Sequence, residues 1–97
     1  MENYHEPPTE LSSQTRDYIR ALVTLREEIE AIDWYQQRLT VTDDQQLKKI
    51  LRHNQLEEME HACMTLEWLR RNMDGWDKKM KQYLFTEKDI VKIEEQE

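Results

Sequence analysis

The sequence predicts an all-α fold: an antiparallel two-helix hairpin with short C-terminal helices, pairing with a second copy of itself into a four-helix bundle. Three observations predict it. One Gly and two Pro in 97 residues leave almost nothing for the tight turns of a sandwich or barrel, or for a glycine-rich phosphate loop. Apolar residues recur at alternating spacings of four and three along two long stretches, a repeat of about 100° per residue that marks amphipathic helices. Finally, 37% hydrophobic against 36% charged residues is a thin supply for a self-sufficient small core, so a partner chain is needed to complete it.

Residues 1–12, with Pro7-Pro8 and Ser12-Ser13, lack that periodicity and read as a flexible arm ahead of a single helical domain over residues 13–97. The first helix is expected over about 13–39, starting near Ser13 or Gln14, with Tyr18, Leu22, Leu25, Ile29, Ile32 and Leu39 as its seam. Val41 breaks the pattern between two threonines. A second helix over about 43–72 follows, capped by Thr42-x-x-Gln45 or Asp43-x-x-Gln46 and closed by Arg70 and Arg71 ahead of Gly75. So short a connection suits an antiparallel hairpin. A third helix is expected over 76–84. Thr86 is the expected N-cap of a last helix over 87–95, docking through Ile90, Val91 and Ile93, with Glu94 to Glu97 frayed.

Fourteen Lys plus Arg against 21 Asp plus Glu give a formal charge of −7, which argues against a nucleic-acid partner and favours cations. The single cysteine, Cys63, has no partner for an internal disulfide, and neither a secretory signal nor an apolar run of spanning length occurs. A cytoplasmic setting without a membrane partner is expected.

The seam of the second helix reads Leu47, Leu51, Asn54, Glu58, His61, Thr65 and Trp68, polar in the middle where a core stripe is apolar. A carboxylate and an imidazole on such a stripe are costly unless they pair with each other, an opposite charge or a metal. Glu58 and His61 form a Glu-x-x-His pair, and residues three apart share a helical face, so both can converge on one cation. The similar spacing of Glu2 and His5 in the arm reads as chance. On the first helix, the angle from the seam makes Glu28 the better ligand, with Tyr35 two turns on along the same flank, placed to hydrogen-bond a ligand carboxylate. Glu27 and Glu30 form a separate i, i+3 pair facing away with Trp34, suited to a looser cation site or an approach path. Carboxylate-bridged di-iron and di-manganese sites in four-helix bundles take a Glu from each of two helices and a Glu-x-x-His from each of the other two. This chain holds one of each, half of such a site, and a two-fold homodimer supplies the other half.

Glu27-Glu28-Ile29-Glu30-Ala31-Ile32-Asp33-Trp34-Tyr35, Glu57-Glu58-Met59-Glu60-His61-Ala62, Met64-Thr65-Leu66-Glu67-Trp68-Leu69-Arg70-Arg71-Asn72 and Tyr83-Leu84-Phe85-Thr86-Glu87 together resemble the encapsulated ferritins, over roughly Ile19 to Glu94. The resemblance implies a ferritin-like bundle. It implies a ferroxidase that oxidises Fe(II) to Fe(III) with O2 at a di-iron centre between two subunits. It also implies assembly of dimers into an annular decamer inside an encapsulin shell, where mineral is stored. By position, Glu28, Glu58 and His61 match the ferroxidase ligands with Tyr35 beside them, and Glu27 and Glu30, near Trp34, match the acidic site where iron enters. Iron is the expected metal, with calcium, manganese or zinc able to take the same sites in vitro. The sequence ends at Glu97 without the family's tail and targeting peptide, so the expectation is a trimmed chain or a different mode of targeting.

The alternative reading is a non-enzymatic helical dimer, an adaptor or metal-buffering module whose polar layer sets register and whose metal, zinc for preference, is structural. A rubrerythrin-like peroxidase is disfavoured by the lack of a Cys-x-x-Cys pair. Trp34, Trp68 and Trp76 read as packing anchors, His53 as a surface histidine, His5 as part of the arm, and Cys63 as a small buried residue off the site.

Overall fold

The computed structural model describes residues 4–95, so the expectations for residues 1–3, Glu2 among them, and for Gln96 and Glu97 lie outside the described residues. One turn of 3-10 helix over Pro8–Glu10 precedes α1 (Ser13–Val41), α2 (Gln45–Asn72), α3 (Trp76–Tyr83) and α4 (Ile90–Glu95). Among the described residues there is no strand, and no helix is long and apolar enough to cross a membrane. The protein is all-α, a hairpin of two long helices with short helices after it.

Ser12 caps α1, its hydroxyl oxygen accepting from the Thr15 N–H at 3.1 Å. The segment expected to be a flexible arm carries the 3-10 turn, and Arg16 fastens it by donating to the Pro8 carbonyl, from Nε at 2.9 Å and also from Nη2. At its far end α1 runs past Leu39 to Val41, and Thr42 closes it by donating its N–H to Arg38 O at 3.1 Å. Thr42 is thereby used as a C-cap. Asp44, and neither Thr42 nor Asp43, caps α2, with its carboxylate accepting from Leu47 N at 2.8 Å. Thr86 is likewise not a cap: its hydroxyl donates to Tyr83 O, while Asp89 accepts from Lys92 N, so the last helix begins at Ile90 and not at residue 87. Of the three expected docking residues only Ile93 is buried, because the single exposed turn and a half of α4 can turn only one side chain inward.

The two long helices are held in register by polar rungs. The Gln55 amide donates to Ile32 O at 3.2 Å and to Gln36 Oε1 at 2.9 Å, the Thr65 hydroxyl to Glu28 Oε1 at 2.8 Å, and the Tyr18 hydroxyl to Asn72 O at 2.8 Å. Apolar packing lies between the rungs. Leu25, Ala62 and Leu69 form the centre, with Ala21, Leu22, Ile32, Leu66, Met73 and Trp76 against them. The Trp68 ring meets Tyr18 edge-on, with centroids 6.4 Å apart. The molecule is 19 Å thick along its shortest axis, less than two helix diameters of about 10–12 Å, so one chain leaves most of its apolar stripe covered on one side only.

Ions fasten α3 to the end of α2. Arg70 bridges Glu67 at 2.7 Å and Asp77 at 2.6 Å, Arg71 also reaches Glu67 at 2.6 Å, and Lys81 reaches Asp77 at 3.0 Å. Hydrogen bonds from Arg70 and Arg71 pull the Glu67 carboxyl down to about 2. Those from Lys81 and Arg70 lower that of Asp77. The chain turns into α3 at Gly75, whose φ of +103° is a backbone state that a side chain disfavours.

Candidate metal centre

The buried line of α2 is Leu51, Gln55, Ala62 and Leu69, and that of α1 is Leu25 and Glu28. Leu25 and Leu51 lie on the seams expected from the sequence, with Leu22 and Ile32 packed against the core, and the rest of each line departs from them. On α2, Gln55, Ala62 and Leu69 each lie one residue after the expected Asn54, His61 and Trp68, a rotation of about 100°. On α1, Ile29 is 54% exposed and Glu28, expected on the flank, is 8% exposed. The apolar arc of each helix is wider than one contact needs. One edge of it faces the hairpin partner, and on α2 the other, carrying exposed His61 and Trp68 with the half-buried Glu58, lies open; Met59 and Ile29 are exposed on the opposite face of the hairpin.

On that open edge Glu58 Oε1 lies 3.7 Å from His61 Nδ1, the i, i+3 convergence expected of the pair. Glu28 stands opposite Thr65, one turn beyond His61 along α2. Its Oε1 accepts the Thr65 hydroxyl, and its Oε2 is buried without a hydrogen-bond partner. Buried polar atoms are almost always satisfied, and a carboxylate oxygen that is not marks a place where a donor or a cation belongs. Carboxylate and imidazole are a donor set suited to iron, manganese or zinc. Within one chain the set does not close: among the described residues no three His, Cys, Asp or Glu side chains gather tightly enough to hold an ion.

Glu27 and Glu30 are exposed on α1, and so is the Trp34 ring, which borders a shallow hollow with Gln37 and Arg38. Tyr35 is half-buried and stacks with the Arg38 guanidinium, 5.4 Å from its ring centroid. His53 pairs with Glu57 at 3.7 Å on the surface. Cys63, expected to be buried, is exposed, because Ala62 beside it takes the inward position. Sequence reasoning missed Gln55, which is 1% exposed and fully engaged by Ile32, Gln36 and an Arg52 guanidinium at 2.6 Å. Its signal was the spacing of four, seven and seven that joins Leu51, Gln55, Ala62 and Leu69.

A family model described as EncFtn-like matches residues 3–87. The chain belongs to the EncFtn-like family. This EncFtn-like chain is 58% identical over 95 residues to the ferritin-like protein of Thermotoga maritima, covering 98% of itself and 83% of that relative. To the encapsulated ferritin-like protein of Rhodospirillum rubrum it is 51% identical over 90 residues, which is 93% of this chain but 64% of that relative's length. Its fold is similar to the crystal structure of a protein from Nitrosomonas europaea, with a TM-score of 0.89 at 53% identity over 93% of this chain and 99% of that one. The encapsulated-ferritin resemblance drawn from the motifs is thus upheld at the level of family and fold.

Proposed function

We propose that two copies of this EncFtn-like chain pair across the open edge and form a ferroxidase, Glu28, Glu58 and His61 of each copy receiving Fe(II) as substrate. The observation that carries the proposal is the buried, partnerless Oε2 of Glu28 on α1 of a chain whose half-exposed His61 and partly buried Glu58 line the open edge of α2. A cation supplies what that oxygen lacks, and the second copy supplies the cover that a two-helix layer lacks. Four carboxylates and two imidazoles suit both Fe(II) and Fe(III); they hold two irons close enough for each to give one electron to the same O2. In this reading Glu58 and His61 present one donor each from one helical face, while Glu28, braced by Thr65, reaches across from α1. Exposed Glu27 and Glu30 gather Fe(II) on the way in, and the −7 charge of the chain draws cations toward it.

The proposal extends to an annular decamer delivering Fe(III) for storage in the lumen of an encapsulin compartment in the cytoplasm. It draws support from the name of the Rhodospirillum rubrum relative, an encapsulated ferritin-like protein, and from the motif resemblance. The test is stopped-flow near-ultraviolet absorbance, with oxygen uptake in parallel, after metal-free protein is mixed with Fe(II) in air. Wild type should give a fast ferric signal that Glu58→Ala lacks. Both proteins following the protein-free autoxidation rate would sink the proposal and leave the non-enzymatic helical dimer in its place.

A further inference from the structure

We infer that Thr65 is a positioning residue for Glu28: its hydroxyl has two alternative acceptors, one that it holds in place, the carboxylate, and one that takes up its hydrogen bond when the carboxylate moves onto an ion. The inference rests on the ferroxidase reading above. Thr65 Oγ1 lies 2.8 Å from Glu28 Oε1 and 3.2 Å from the carbonyl oxygen of His61, one turn back on the same helix. A hydroxyl carries a single proton, so it serves one of these acceptors at a time. Given to Glu28, the proton bonds one oxygen of a carboxylate that is 8% exposed and aims the other, which has no partner. The carbonyl four residues earlier is already within reach of the same Oγ1, so only the hydroxyl hydrogen has to rotate about the C–O bond for the retreat.

This arrangement lowers the cost of moving Glu28. A fixed donor left behind in a buried place would go unsatisfied and oppose the shift. Thr65 has the His61 carbonyl within reach, so the carboxylate can turn toward a cation without stranding the hydroxyl. While it holds Glu28, the bond ties the proposed ligand on α1 to the turn of α2 that follows His61. Thr65 touches no reacting atom in this account; it acts through Glu28.

Co(II) is a suitable probe, because it takes the same donors as iron and its visible absorption reports its coordination. It is titrated into wild type, Thr65→Val, Thr65→Ala, Thr65→Ser and Glu58→Ala, with the thermal unfolding of each metal-free protein recorded beside it. Removing an outer hydrogen bond to a metal ligand typically weakens metal binding about 10–100-fold. The valine and alanine variants should therefore bind Co(II) at least about tenfold more weakly with an altered spectrum, and Thr65→Ser within about twofold of wild type. A folded Thr65→Val or Thr65→Ala that binds Co(II) as wild type does, whatever its melting temperature, overturns the inference alone. A wild-type Co(II) signal that is missing, or that Glu58→Ala leaves unchanged, overturns the ferroxidase reading and the inference with it.

Discussion

Gln55 of α2 donates an amide hydrogen to Gln36 Oε1 of α1 at 2.9 Å, and this pair, with the bond from Gln55 to Ile32 O, sets the register that brings Glu28 opposite Thr65. Gln55 is also the acceptor of Arg52. Gln55→Ala removes three hydrogen bonds made by a buried side chain and leaves a hole beside Leu51, so it should lower the free energy of unfolding by roughly 1–3 kcal/mol. Urea unfolding followed by circular dichroism measures this.

Glu28→Gln keeps an oxygen to accept the Thr65 hydroxyl and removes the carboxylate to which the proposal gives Fe(II). Its metal-free stability should stay within about 1 kcal/mol of wild type, while Fe(II) oxidation falls to the protein-free rate. Denaturant midpoints and stopped-flow absorbance read the two effects separately. A stable variant with wild-type turnover would remove Glu28 from the ligand set.

Glu67 gives the acid-side behaviour. Its carboxyl titrates at about 2 in the folded chain against 4.5 ordinarily, held down by Arg70 and Arg71, so the folded state binds fewer protons between those values. Its contribution is complete above pH 4.5 and disappears as pH falls through 2. The stability gap between wild type and Glu67→Gln should be constant near neutrality and close over that window. High salt should narrow it, because the pairs are half-exposed.

Glu27→Ala and Glu30→Ala should change the rate of Fe(II) oxidation while the central site still binds metal, as metal content and stopped-flow traces together would show. Loss of central metal in either variant would refute a role confined to gathering iron.

The sequence by itself determined the helices, the hairpin and the Glu-x-x-His spacing, because these follow from local periodicity and from residue types that are costly on an apolar stripe. Leu25, Ile32, Glu58 and His61 are legible in that way. Only the tertiary structure decided which edge of each stripe is used inside the chain. The arcs of both helices are wide enough for two neighbours, and a repeat in sequence carries no mark of which neighbour is covalently joined. Hence Glu28 is more deeply buried than its angle suggested, Ile29 is open, and Gln55 replaces Asn54 at the interface. The caps were settled in the same way: Thr42, Asp43 and Asp44 all suit a helix start, and the hydrogen bond that closes α1 at Thr42 left Asp44 to open α2.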